Sequence, residues 1–465
     1  MLVFDPQKAM KSVTWEGVAA SSMFAITNSF LAVFAAALGA SNTQIGLLVS
    51  VPAAIALLSY LPAGYAIERW NRRRMTCAAA SMLSRSMWFL VGLVPFLVMQ
   101  DILPGPAHSI TLLIAVVSAY SLFSAFVAPA WASIVGAVVP ENIRGSYFGR
   151  RNQLCAAASL AVGAAAGLVV EVFSEGMLGF ALIFFGAGAA GMASSYFFSR
   201  FPDIRFEPEK MSFFSELKGA FGNRVFRRFI LLFIAWQFGV SMSAPFMNVY
   251  VINGLGAPYA WISVLVLASG ITTIIFQRWW GSAADAFGHR SILIISAFGA
   301  SFVPLLYMLA PSPGFVVFID ALSGASWAGF NLACFNYLLG ISAGGKSTIY
   351  SAIYWMMAGV PVIVAPVAGG ALVDMLMPVS VQMFSGFRGM FFISWLVRLA
   401  AVVLFAYLLV DVPARQGVSV RYVAREIVST GFISLHHPFQ LLKRRGLGRA
   451  RWLAMKMLGR IKKGG

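Results

Sequence analysis

Charge is scarce in this 465-residue sequence, where Asp, Glu, Lys and Arg together make up 11% of the residues. A soluble domain carries about 25%. With 60% hydrophobic residues and a mean hydropathy of +0.82, a soluble globular fold is excluded. Acid is scarcer than base: 16 Asp+Glu face 34 Lys+Arg, and the formal net charge is +18. Such an excess in a soluble chain would point to nucleic acid, but the placement of the charges, given below, excludes that partner. Cysteine is limited to Cys77, Cys155 and Cys334, with no CxxC pair. That excludes a disulfide framework and a thiolate metal site, and the three are read as small apolar helix residues. The four histidines (His108, His289, His436 and His437) form no cluster with nucleophiles or acids. No catalytic residue, metal or cofactor is therefore expected, and the chain is not read as an enzyme. A phosphate-cradling GxxxxGK[ST] loop is missing too, since SAGGKST at 342–348 lacks the first glycine. The start, MLVFDPQKAMKS, lacks the layout of a cleaved signal peptide, so the first apolar segment is read as a retained span.

What is present is a rapid succession of apolar runs of the roughly 20 residues that a spanning helix needs. Twelve are read, at 18–38, 43–67, 76–99, 110–139, 152–172, 177–198, 229–252, 260–280, 291–310, 314–341, 349–375 and 389–410. Lys and Arg fall almost entirely on alternate connectors. The set after spans 1, 3, 5, 7, 9 and 11 carries only Arg388, whereas the other set carries Arg69, Arg72, Arg73, Arg74, Arg144, Arg150, Arg151, Arg290 and the basic stretches that follow spans 6 and 12. This is the positive-inside pattern, and it places both termini in the cytoplasm.

The organisation expected is a six-span half at 1–199, a cytoplasmic linker at 200–228, a second six-span half at 229–411 and a basic tail at 412–465. In the linker, Phe213, Phe214, Leu217, Ala220 and Phe221 share one helical face, which reads as a short helix on the membrane surface. The tail has two readings: an interfacial helix held by anionic lipid at about 1 kcal/mol per basic residue, or a basic tail with no specific role. The halves echo each other. Span 5 ends GAAAGLVVE at Glu171 and span 11 ends PVAGGALVD at Asp374; aligning the two acids puts Gly167 on Gly370, Gly163 on Pro366 and Tyr147 on Tyr350. Internal six-span repeats of this kind build many transporter folds.

The most distinctive stretch is LPAGYAIERWNRRRM at 61–75, between spans 2 and 3, with a second copy in GSAADAFGHRSIL between spans 8 and 9. The first resembles the connector G-x-x-x-D-R-x-G-R-[RK] of major facilitator superfamily transporters. Gly64, Glu68, Arg69, Arg72 and Arg73 match, with Glu in place of Asp and Asn71 in place of the second glycine. The second copy keeps Gly281, Asp285, Gly288 and Arg290, with Ala286 at the first arginine position. VPENIRGSYFGRRN, which contains Arg144, is similar to the family's connector after span 4. Pro366, Gly369 and Gly370 resemble a glycine-rich pattern better known in span 5 of antiporters. Its weak form in span 5 here argues against a drug antiporter, and span 4 lacks the arginine of many proton-coupled members.

The resemblance implies an all-α membrane fold of two six-helix pseudo-repeats and transport by alternating access. It implies gating roles for Glu68, facing the start of span 11 near Ser347, and for Asp285, facing the start of span 5 near Asn152. Spans 1, 4, 7 and 10 would line a cavity. They offer Asn28; Tyr120, Ser124 and Trp131; Trp236, Gln237 and Asn248; and Trp327, Asn331, Asn336 and Tyr337, types suited to a sugar-like solute or an amphipathic compound. Ionisable residues at membrane depth are functional suspects. Arg85 and Arg398 each read either as holding neighbouring carbonyls and hydroxyls or as serving substrate or coupling. Asp320 reads either as a buried proton carrier or as an exposed acid near the outer boundary, and Glu16 reads as a solvated end residue. The function expected is a secondary transporter of a small solute in the plasma (inner) membrane, acting as a monomer, with a proton as candidate coupling ion. An efflux pump and a transporter-like sensor stand as alternatives.

Overall fold

The computed structural model describes residues 5–70, 73–103, 105–140, 143–173, 177–202, 213–341 and 347–410. The basic tail, residues 203–212 of the linker and the side chains of Glu68, Arg69, Arg72, Arg73, Arg144 and Asp285 lie outside that description. The described residues form helices: α1 (Pro6–Ala37), α2 (Asn42–Trp70), α3 (Arg73–Met99), α4 (Pro106–Val138), α5 (Arg144–Val172), α6 (Leu178–Ser199), α7 (Phe213–Gly222), α8 (Arg224–Val249), α9 (Ala260–Phe287), α10 (His289–Leu309), α11 (Pro313–Ile341), α12 (Ser347–Leu376) and α13 (Gly386–Leu408). All but α7 are long and apolar enough to cross a membrane.

Several helices outrun the apolar windows read from sequence. Hydropathy marks the part matched to hydrocarbon, whereas caps and backbone bonding set where a helix stops. Thus α1 starts at Pro6 because the Asp5 carboxylate accepts from the backbone N–H of Gln7 (2.9 Å) and Lys8 (3.4 Å), with proline in the first turn. Asn223 does the same for α8, accepting from Val225 and Phe226.

α1–α6 pack chiefly on one another, as do α8–α13; α2 against α12 and α5 against α9 are the main seams between the two sets. Aromatic rings fill each set. In the first, Phe34 lies against Phe180 and Phe184, and Trp88 stacks on Phe184. In the second, Trp236 packs on Phe330, and Phe229 on Tyr337 and Tyr354. The linker helix departs from expectation. Leu217, Ala220 and Phe221 of α7 pack onto the core of the second set, with Phe221 edge-on to Phe226 at 6.3 Å. Its described apolar face is turned to protein.

Alternation of the spans gathers the arginine-rich connectors at one end of the bundle, here the basic end, and the others at a neutral end. Arg388, the cation at the neutral end, donates from Nε to the Tyr250 hydroxyl at 3.3 Å.

Candidate functional site

The two sets of helices meet at the neutral end through carboxylates placed on helix N-termini. The first turn of a helix leaves backbone N–H groups unbonded and carries partial positive charge. Asp374, near the end of α12, sits on the start of α2. It accepts from Asn42 Nδ2 (2.8 Å), Thr43 N (2.9 Å) and Thr43 Oγ1 (2.7 Å). Glu171, near the end of α5, accepts from the backbone N–H of Ala260 at the start of α9 (3.4 Å). These are the two acids aligned from sequence, and the aligned glycines also match in role. A side chain at Gly370 would strike the Asn42 carbonyl, and one at Gly167 would strike Ser263 Oγ. Small residues there let the backbones approach. Ser50 Oγ donates to the Val362 carbonyl, Ser263 Oγ to the Ala164 carbonyl (2.6 Å) and Asn248 Nδ2 to the Ser29 carbonyl (3.1 Å). Among the described residues, the hydrogen bonds resolved between the two sets all lie in the half of the bundle away from the basic end.

Below this closure lies a cavity of about 380 Å³ lined by Ser21, Phe24, Ala25, Asn28 and Ser29 of α1, Cys155, Ala156 and Ser159 of α5, and Val266 of α9. Of the residues expected at a cavity, Asn28 lines this one, and Asn248 reaches its wall through Ser29. The others lie elsewhere. Trp236 is fully buried between Trp327, Phe330 and Phe405, so it is a packing residue in this conformation and not part of the wall. Tyr120 packs on Trp88, and Trp327 packs on Trp236 and Phe330. Gln237 is half-buried and Asn331 exposed, and neither lines this cavity. The wall uses α5 and α9 where α4, α8 and α11 were expected. Its residues were legible as one face of α1, at spacings of three and four from Ser21 to Asn28. Serines and a cysteine, however, carry little chemical signal against a background of small helix residues.

Beside the cavity, toward the basic end, five helices converge on one carboxylate. Glu16 is buried. Its Oε2 accepts from Arg151 Nη2 (3.3 Å) and Trp131 Nε1 (3.1 Å), and its Oε1 from Ser194 Oγ (3.2 Å), with Arg85 Nη2 at 3.9 Å. The expected solvated end residue is thus the hub of α1, α3, α4, α5 and α6. Its position at the edge of an apolar window hid this, because α1 continues well beyond the window. Trp131 joins this hub, with the Arg151 guanidinium over its ring at 5.4 Å.

A family model described as Major Facilitator Superfamily matches residues 17–277, more than half of the chain. The chain belongs to the major facilitator superfamily. It is a multi-pass integral membrane protein and a secondary transporter. An uncharacterised MFS-type transporter of Methanocaldococcus jannaschii is 23% identical over 305 residues, covering 63% of this chain and 72% of that one. Among solved structures, the nucleoside transporter NupG covers 85% of this chain and 98% of its own at 13% identity, with a TM-score of 0.64. A D-xylose–proton symporter covers 89% and 99% at 15% identity and the same TM-score, 0.64. A bacterial homologue of the human lysosomal transporter Spinster, solved inward-facing and unoccupied, covers 86% and 96% at 14% identity and TM-score 0.64. At such identities the likeness is one of fold.

In this superfamily member, the connectors that carry the resemblance sit at the basic end. Among the described residues, a side chain built at Gly64 or Gly281 would meet nothing within 4 Å. Gly288 joins α9 to α10 with φ +87°, a backbone region that glycine enters without steric cost. Arg290 donates from Nη2 to the Ala406 carbonyl (2.8 Å), tying α10 to the last turn of α13. Arg398 is buried and held by a hydroxyl and carbonyls: Ser243 Oγ (2.6 Å), Ala300 O (3.3 Å) and Gly239 O (3.4 Å). Asp320 is half-buried at the α10–α11 contact and accepts from the Tyr307 hydroxyl at 2.8 Å.

Proposed function

We propose that this transporter carries a small polar solute across the plasma (inner) membrane as a monomer, with the basic end in the cytoplasm and the conformation described here open to that side. The positive-inside distribution supports the orientation. The observation that carries the reading is the closure of the neutral end by Asp374 on α2 and Glu171 on α9, opposite an end where a side chain built at Gly64 or Gly281 would meet none of the described residues within 4 Å. At that basic end, Glu68 near the end of α2 and Asp285 near the end of α9 are assigned the same device in reverse, meeting the starts of α12 and α5. Glu68, Arg69, Arg72, Arg73, Arg144, Asp285, Gly288 and Arg290 are thus the gate of the other state. Anionic lipid faces the basic connectors, and a coupling proton has two carboxylates away from bulk water to occupy, Asp320 and Glu16.

Uptake by purified protein in liposomes tests the reading, with a panel of sugars, nucleosides, amino acids and organic acids, with and without a pH gradient. Saturable uptake of one class is the expected result, and its dependence on the gradient reports coupling. A protein that moves none of the panel, while its cavity still changes sides by cysteine labelling, would be a sensor instead. In Asp320→Asn, loss of gradient-driven uptake with exchange preserved would identify Asp320 as the proton carrier.

A further inference from the structure

The hub around Glu16 is unbalanced. Two guanidiniums, Arg85 and Arg151, face one carboxylate, and among the described residues no second acid joins them. The other groups on Glu16, the Trp131 indole and the Ser194 hydroxyl, are neutral donors from α4 and α6. Arg85 is 4% exposed, stands 3.9 Å from Glu16, and its Nε has no hydrogen-bond partner. A buried charge is costly unless it is paired and bonded. One unit of positive charge at this hub therefore lacks its counterpart.

Arg151, which also donates from Nε to the Val13 carbonyl (3.2 Å) and from Nη1 to Asn152 Oδ1 (3.5 Å), is the member that reaches an open surface. Its side chain is the more exposed of the two at 12%, against 5% for Arg85. It lies across Gly17, whose missing side chain leaves room for the guanidinium in this position. It lines an opening of about 450 Å³ between α1 and α5, together with Lys11 and Arg150. One helical turn further along α5, about 6 Å, Cys155 lines the cavity, whose other polar groups are Ser21, Asn28, Ser29 and Ser159. Hydroxyls and amides solvate a solute without choosing its charge, whereas a guanidinium chooses an anion and binds carboxylate or phosphate through paired N–H donors.

We propose that the cavity takes a solute bearing a carboxylate or phosphate group, received by Arg151, with Glu16 as the internal carboxylate that the solute's anion displaces. This rests on the reading of the cavity as the transport site, but its electrostatic core can be tested without transport. Cys155, 8% exposed and lining the cavity, is the native reporter, while Cys77 and Cys334 are more deeply buried in the helix packing at 1% and 2% exposure. The full chain is placed in phosphatidylcholine vesicles, so that no lipid headgroup carries a net negative charge. It is then labelled with an anionic and a cationic methanethiosulfonate of similar size, with Cys155→Ser as the blank.

Relative to free cysteine, the anionic reagent is expected to be favoured at Cys155. Arg151→Gln should cut that preference by about tenfold, the scale of one charge at this separation in a partly screened site. Arg151→Lys should keep most of it, which separates charge from folding damage, and Glu16→Gln should increase it. A wild-type preference no greater than that of free cysteine, or one that Arg151→Gln leaves unchanged, overturns the proposal whatever uptake shows. The solute is then assigned by protection of Cys155, with gluconate against glucose and glycerol 3-phosphate against glycerol. Stronger protection by gluconate selects a carboxylate, and stronger protection by glycerol 3-phosphate a phosphate. Equal or better protection by the neutral partners, or none from either pair, removes the anionic-solute assignment.

Discussion

Replacing Asp374 with Asn should open the neutral end, and the geometry sets how far. The carboxylate accepts three hydrogen bonds from Asn42 and Thr43, all 2.7–2.9 Å. Hydrogen bonds to charged groups contribute roughly 1.5–3 kcal/mol each, and a carboxylate at a helix N-terminus adds about 0.3–1 kcal/mol. Asn keeps the shape and one good acceptor but loses the charge and turns donors toward donors. Because Asp374 is half-buried, water recovers part of the loss, leaving about 2 kcal/mol, or roughly thirtyfold in the equilibrium between the two states. The assay is labelling of Asn28→Cys, in the cavity wall, in a Cys155→Ser background by an impermeant maleimide applied from the neutral-end side. While the state open to that side is the minor one, the initial labelling rate reports its population. Asp374→Asn should raise the rate by about thirtyfold. Glu171→Gln, which weakens a single 3.4 Å bond, should raise it only about twofold. Asp101→Asn, in a connector at the same end, should change nothing. An unchanged rate in Asp374→Asn, with normal folding, would refute the latch.

Gly370→Val places a side chain where the Asn42 carbonyl passes, so it should hold the neutral end apart, raise labelling from that side and abolish uptake while the protein still reaches the membrane. Glu68→Gln should act in the opposite sense to Asp374→Asn, and the double variant should label at a rate within about threefold of the parent, since distant perturbations add in free energy. Ser243→Ala removes the hydroxyl that accepts from both Arg398 and Ser394. It should cost about 1–2 kcal/mol, seen as a lower melting temperature in detergent with an unchanged KM for uptake.

Much of the fold was legible because a bilayer enforces a simple code: length of apolar run, then the side on which arginine falls. The acids that close the neutral end were legible too, as Glu171 and Asp374 aligned between the halves, although the contact each makes was not. The cavity described here draws on residues other than those expected at one, Asn28 apart. Choosing amides and aromatics on spans 1, 4, 7 and 10 favoured large side chains, and large aromatic side chains are also what fills a packed bundle, as Trp236 does. The wall found here is made of residues too small to stand out. Glu16 was misjudged for a related reason. A hydropathy window ends where polar residues begin, but the helix and its buried neighbours continue, and sequence alone does not reveal that Arg85, Trp131, Arg151 and Ser194 from four other helices arrive at the same point.

The placement of the acids also explains why neither state need dominate. An acid near the C-terminal end of its own helix is opposed by that helix's dipole and gains only when a different helix presents its N-terminus. α2 and α12 run antiparallel along one seam, and α5 and α9 along the other. Asp374 meets the start of α2 and Glu171 the start of α9 at the neutral end. On the proposed reading, Glu68 meets the start of α12 and Asp285 the start of α5 at the basic end. Rigid halves that rock about the cavity cannot hold both ends together, so docking two acids undocks the other two. Each state then keeps half of the favourable pairs, and the difference between states stays within a few kcal/mol although each latch is strong. Within that margin the contacts of a single bound solute can decide which end opens.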